Sequence, residues 1–180
     1  MSHFEEIEFL ASDNMGYFTS SAARAAGVVS CELDRWRKMG RLENPARGVY
    51  RLANYPPSAL EPYVLGTLAV GEKAYIYGES VLAMLNLVPT DPSRLFVASP
   101  GRVRRKTSPS LLVVSGRADE RVEYYEGVPA QHIMEAIRSS RGYVRHDRRV
   151  RAAAEGLRQG YLTKSEWQVL NRELKNETSA

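Results

Sequence analysis

Between residues 35 and 51 the chain carries six cationic side chains, Arg35, Arg37, Lys38, Arg41, Arg47 and Arg51, against the single carboxylate of Glu43. Guanidinium and ammonium groups at this density suit phosphate, and a duplex presents a dense line of phosphates, so their chemistry is charge neutralisation along a nucleic-acid backbone. Residues 1–13 have the opposite balance, with Glu5, Glu6, Glu8 and Asp13 and no Lys or Arg. Other chemistries lack their residues. The only Glu-x-Lys is Glu173-Leu174-Lys175, near the end and without a matching acidic strand for Mg²⁺. There is no phosphate-binding Gly-x-x-x-x-Gly-Lys, no Gly-x-Ser-x-Gly and no Gly-x-Gly-x-x-Gly. His3, His132 and His146 are scattered without ligand spacing, and the lone Cys31 excludes an internal disulfide or a cysteine zinc cluster. No catalytic residue, metal or cofactor is expected.

The cations need elements to hold them. Thr19 can cap an alanine-rich helix over residues 20–26, with Ala22, Ala25 and Ala26 as its close-packing face and Gly27 as its stop. Val28 and Val29 then plug a corner, and Ser30 caps a second helix running to Met39 and ended by Gly40. Helical periodicity puts Val29, Leu33 and Trp36 on a core side, and Cys31, Asp34, Arg35 and Lys38 on an outward side. Two helices joined by a Gly-containing turn make a helix-turn-helix. Residues 41–43 and 49–52 alternate as short strands around Asn44-Pro45-Ala46-Arg47-Gly48, a hairpin that forms a wing. A first helix over residues 4–11 completes the core through Phe4 and Ile7, with Tyr17, Phe18, Leu33, Trp36, Leu42 and Tyr50. On this winged helix, Ser30, Cys31, Arg35 and Lys38 are expected at the groove, and Arg24, Arg37, Arg41, Arg47 and Arg51 at phosphates.

Asn54-Tyr55-Pro56-Pro57-Ser58 reads as a linker, because two prolines remove backbone donors and impose extended geometry. It divides residues 1–53 from a second domain over residues 58–180. That domain opens with a helix capped by Ser58 and running to Val70, buried through Leu60, Val64, Leu65 and Leu68. Strands are expected at 74–77, 95–98, 111–114, 122–125 and 128–129. Helices are expected at 80–87, 133–140, 148–158 and 164–174, the last with a capping box in Thr163 and Glu166. The fold class is therefore α+β: an N-terminal winged helix-turn-helix, then a small mixed α+β domain with C-terminal helices. Two further basic clusters, Arg102, Arg104, Arg105 and Lys106 in one loop and Arg145, Arg148 and Arg149 later, offer additional phosphate or partner contacts.

The chain of 180 residues has 43% hydrophobic and 26% charged residues and a net charge of +4, an ordinary balance for a soluble protein with a mild preference for anionic partners. No stretch approaches the roughly 18 apolar residues of a membrane span, and Met-Ser-His-Phe-Glu-Glu is too acidic for a signal peptide, so no membrane association and a cytoplasmic location are expected.

In their order and spacing over about 40 residues, Gly16-Tyr17-Phe18-Thr19, Ala22-Ala23-Arg24-Ala25-Ala26-Gly27-Val28, Leu33-x-Arg35, Gly40-Arg41-Leu42-Glu43 and Ala46-Arg47-Gly48-Val49-Tyr50-Arg51-Leu52 resemble the N-terminal domain of AbiEi-type antitoxins of type IV toxin–antitoxin systems. Tyr77-Gly78-Glu79-Ser80-Val81-Leu82 and Glu126-Gly127-Val128-Pro129 resemble parts of that family's C-terminal domain. Gly78 stands where many relatives have His, and Ala130-Gln131-His132-Ile133 replaces a Thr-Pro-x-Arg-Thr-Leu run. The resemblance implies a DNA-binding antitoxin and transcriptional autorepressor that acts on inverted operator repeats and neutralises a nucleotidyltransferase-like toxin. Two other readings stand beside it. One is a stand-alone winged-helix transcription regulator whose second domain senses a ligand or dimerises; the other is a protein-interaction module that meets an acidic partner.

Overall fold

The computed structural model describes residues 2–90 and 92–177. Its first part runs α1 (His3–Ser12), β1 (Tyr17–Thr19), α2 (Ser20–Ala25), α3 (Ser30–Lys38), β2 (Leu42–Ala46) and β3 (Val49–Leu52). The three strands form an antiparallel sheet in the order β1-β3-β2. Each helix boundary has a local cause. The Ser2 hydroxyl accepts from the Glu5 N–H while the Glu5 carboxylate accepts from the Ser2 N–H, which makes a capping box on α1. The Thr19 hydroxyl accepts from the Ala22 N–H to open α2.

Several expectations needed correction here. β1 was not foreseen; it exists because Tyr17, Phe18 and Thr19 pair with Arg51, Tyr50 and Val49, some 30 residues away. Strand alternation sends Tyr17 and Phe18 to opposite faces. Phe18 joins Phe4, Ile7, Ala11, Ala23, Val28, Leu33, Trp36 and Leu42 in the winged-helix core, while Tyr17 and Val49 belong to the core of the second part. The N-cap of α3 is Val29, not Ser30, and its side chain is 53% exposed; the Glu32 carboxylate accepts from the Val29 N–H and so supplies the cap. On α2 the fully buried alanine is Ala23, with Ala25 exposed. The wing strand β2 extends through Asn44 and Pro45, because the Asn44 amide donates to the carbonyls of Ala46 and Val49 and bridges the irregular register.

α4 (Glu61–Val70) joins the two parts. It is apolar on nearly every side, as a helix buried between two layers must be. One side packs on β1, β2 and β3, and another on β4 (Tyr75–Ile76), β5 (Leu95–Ser99) and β8 (Val128–Gln131). Gly66 permits that approach: a Cβ there would stand 2.5 Å from Leu95 Cδ2. The N-cap is Leu60, two residues later than the expected Ser58, although the Ser58 hydroxyl still acts there by accepting from the Leu60 N–H.

The second sheet has five strands in the order β6-β5-β4-β8-β7, with β6 at Leu111–Ser115 and β7 at Val122–Tyr125. β4 pairs antiparallel with β5 and parallel with β8, β5 pairs parallel with β6, and β7 pairs antiparallel with β8. Helices α5 (Glu79–Met84), α6 (Ile133–Ser139), α7 (His146–Arg158) and α8 (Lys164–Glu177) pack in succession, α5 on α6, α6 on α7 and α7 on α8. This is the α+β class expected from the order of elements.

The expected cap of α8 is formed reciprocally. Glu166 Oε2 accepts from the Thr163 N–H at 2.9 Å, and the Thr163 hydroxyl accepts from the Glu166 N–H at 3.2 Å. That backbone bond, then the Arg121 guanidinium, hold the Glu166 carboxyl down at about 2. A carboxyl whose folded value lies below its unfolded value stabilises the fold above the unfolded value, and that contribution fades as protons return. The contribution of Glu166 is therefore whole above about pH 5 and lost progressively toward pH 2. Acid unfolding of wild type and Glu166→Gln should converge at the low end of this window and separate above it.

Candidate nucleic-acid interface

α3 turns by about 100° per residue, so Cys31, Arg35 and Lys38, at i, i+4 and i+7, share the face opposite Leu33 and Trp36. All three are exposed, and Leu33 and Trp36 are buried. Phe4 of α1 meets the Trp36 ring edge-on at 5.0 Å, so the inner side of α3 is locked to α1. A second clip joins the same helices: His3 Nδ1 lies 3.0 Å from the Glu32 carboxylate, which raises the His3 pKa. Ser30 and Arg37 are also exposed but lie well round from the Arg35 face, and Arg37 donates to Asp34 at 3.3 Å.

The wing hangs beside this helix. Its tip residues Arg47 and Gly48 form the turn between β2 and β3, and the Gly48 carbonyl accepts from the Ser20 N–H at 2.9 Å, which ties the tip to the start of α2. Arg47 is exposed, as is Arg24 on α2. Arg41 is exposed too, but its guanidinium stacks 3.3 Å above the centre of the Phe4 ring, so its position is set by α1.

Arg51 corrects the expected set of phosphate contacts. It is 9% exposed and lies under the wing against α4. Nη2 donates to Glu61 Oε1 at 2.9 Å and to the Tyr55 carbonyl at 3.0 Å, and Nη1 lies 3.9 Å from Glu43. The Tyr17 hydroxyl donates to the other Glu61 oxygen at 3.0 Å. Burial alone would raise the Glu61 carboxyl, yet Arg51, the Ser58 N–H and Tyr17 together hold it low. Arg51 shares the inner face of β3 with Val49, so it cannot reach a duplex. Glu61 escaped notice in the sequence; its one signal was an acidic residue, followed by Pro, at a helix start.

In the second half, Arg102, Arg104, Arg105 and Lys106 are exposed in the loop between β5 and β6, as expected. Arg145 is exposed and donates to Asp147, and Arg148 is exposed and donates to the Pro89 carbonyl. Arg149 needs correction: it is 3% exposed, forms an ion pair with Glu177, and shares the inner stripe of α7 with Ala152, Ala153 and Gly156. His132 caps α6 by accepting from the Met134 N–H, and its other nitrogen lies 3.6 Å from Glu166. It is buried at 1% exposure, which denies it to any substrate. Among the described residues no group of three or more His, Cys, Asp or Glu side chains could hold a metal ion, and no helix is long and apolar enough to cross a membrane.

No curated protein matches the chain. Among solved structures, the crystal structure of the RV2827C protein from Mycobacterium tuberculosis superposes with a TM-score of 0.39 at 13% identity, covering 91% of this chain and 78% of that one, too loosely for any residue to be carried across. Residues 5–53 match the family described as transcriptional regulator, AbiEi antitoxin, and residues 54–180 lie outside the match. The matched segment is the helix-turn-helix with its wing, and over these residues the chain is similar to the AbiEi antitoxin transcriptional regulators.

Proposed function

We propose that the chain is a DNA-binding antitoxin and autorepressor of an AbiE-like operon, divided into a duplex-binding domain over residues 1–53 and an effector domain over residues 58–180. The observation that carries this reading is the exposure of Arg24, Arg35, Lys38 and Arg47 on the two helices and wing of the matched domain. α3 enters the major groove with Cys31, Arg35 and Lys38 toward base edges and Ser30 at its rim, while Arg24, Arg37, Arg41 and Arg47 neutralise phosphates on either side. The protein works in the cytoplasm on inverted repeats upstream of its own gene. The second domain, through Arg102, Arg104, Arg145 and Arg148, engages a nucleotidyltransferase-like toxin or flanking phosphates. It has no catalytic role.

Arg47 tests the phosphate assignment. Arg47→Ala is expected to weaken binding to all sequences about equally and to lower the slope of log K against log salt by about one unit, read by fluorescence anisotropy over a salt series. An unchanged slope removes Arg47 from the phosphate set. The antitoxin half is tested by co-expression with the neighbouring nucleotidyltransferase-like protein, where growth should recover; persistent arrest leaves the regulator reading alone standing.

A further inference from the structure

A cavity of about 610 Å³ lies between the wing and the second sheet. That is within the usual range of roughly 300–1,000 Å³ for small-molecule sites. Its floor is apolar: Leu65 and Ala69 of α4, Leu95 of β5 and Leu111 of β6. Its rim carries four cations from three separate parts of the chain, Arg47 at the wing tip, Arg94 just before β5, and Arg105 and Lys106 in the loop before β6. The hydroxyls of Thr107, Ser108 and Ser110 add polar groups, the two serine hydroxyls sharing one hydrogen bond at 2.8 Å. No described carboxylate lines it.

The combination selects a class of ligand. A purely apolar ligand makes no use of the four cations on the rim. A duplex backbone offers phosphates on a convex ridge and nothing apolar for the floor. We propose that the cleft binds an amphipathic organic anion, with its anionic head among Arg47, Arg94, Arg105 and Lys106 and its hydrocarbon or aromatic body on Leu65, Ala69 and Leu95. Arg47 belongs to both this cleft and the proposed duplex surface, so occupancy draws it from phosphate and weakens DNA binding. That coupling rests on the DNA reading above; binding of the anion does not.

The test is a fluorescence titration of the full chain with 8-anilinonaphthalene-1-sulfonate in the absence of DNA, with decanoate and inorganic phosphate as competitors. A single saturable site is expected, displaced by decanoate and not by the same concentration of phosphate. Ala69→Trp, which fills the floor, and Arg94→Ala with Arg105→Ala, which strip the rim, should each weaken the probe by at least about tenfold with circular dichroism unchanged. Should Ala69→Trp fail to fold, the rim variant decides. Absent saturation, equal binding by the folded variants, or displacement by phosphate as effective as by decanoate overturns the proposal, the last by showing a bare phosphate track. Decanoate should also lower duplex affinity; if it binds and duplex affinity holds, the anion site stands and the coupling through Arg47 falls.

Discussion

Glu61→Ala is expected to lower the unfolding free energy by roughly 2–4 kcal/mol, because it leaves the buried Arg51 guanidinium without its carboxylate. The figure sits below the upper end for buried pairs because the Glu61 side chain retains 21% exposure. The substitution also removes the acceptor for the Tyr17 hydroxyl and the Ser58 N–H, so the seam between the winged helix and α4 loses two bonds and the start of α4 a third. The pair is not optimal even when intact: Arg51 Nε is buried with no hydrogen-bond partner among the described residues. An apolar replacement of both partners, Arg51→Met with Glu61→Leu, should therefore recover most of the loss. Chemical denaturation of the two variants beside wild type checks this. A double variant as unstable as the single would mean that the pair contributes more than it costs, and the seam would need another explanation. Arg51→Ala should lower stability and leave the salt slope of duplex binding unchanged, which separates a buried anchor from a phosphate contact.

Arg35→Ala is expected to cost roughly 1–3 kcal/mol of binding to the preferred duplex and to flatten the preference over unrelated sequence, since a guanidinium in the major groove reads base edges as well as supplying charge. Arg35 is the side chain best placed for it. It lies near the middle of α3, on the face opposite Leu33 and Trp36, and the Phe4 and His3 contacts fix the helix behind it. Lys38→Ala, one turn nearer the helix end, should cost less specificity and more of the general affinity. Anisotropy with the preferred and a shuffled duplex at one salt concentration reads both effects. If Arg35→Ala changes neither affinity, α3 does not read the groove.

What the sequence disclosed about these residues follows the range of the forces involved. α2, α3 and the wing were legible because their signals are local: the Thr19 cap, the glycines that end each helix, and a switch from helical to alternating pattern after Gly40. β1 was not, because it is held by β3, a partner distant in sequence. Arg51 was misplaced by giving charge precedence over alternation; its position two residues from buried Val49 on β3 pointed inward. Arg149 was misplaced likewise, since the stripe it shares with Ala152, Ala153 and Gly156 is built of small residues that carry a weak hydrophobic signal. The helix α4 read as a one-sided stripe, yet it is sandwiched between two sheets, and only the close approach at Gly66 reveals that from the residues. Arg94 was passed over because its neighbours on the cleft rim, Arg47 and Lys106, come from other segments.

The central claim is that the exposed cations of α3 and the wing lie against a duplex. A gel shift with the DNA upstream of the protein's own gene, run beside a shuffled duplex of the same length at low and physiological salt, tests it most directly. The account predicts a discrete complex with the upstream DNA that survives at physiological salt, and binding to the shuffled duplex that fades as salt rises. No complex with either duplex at low salt would contradict it.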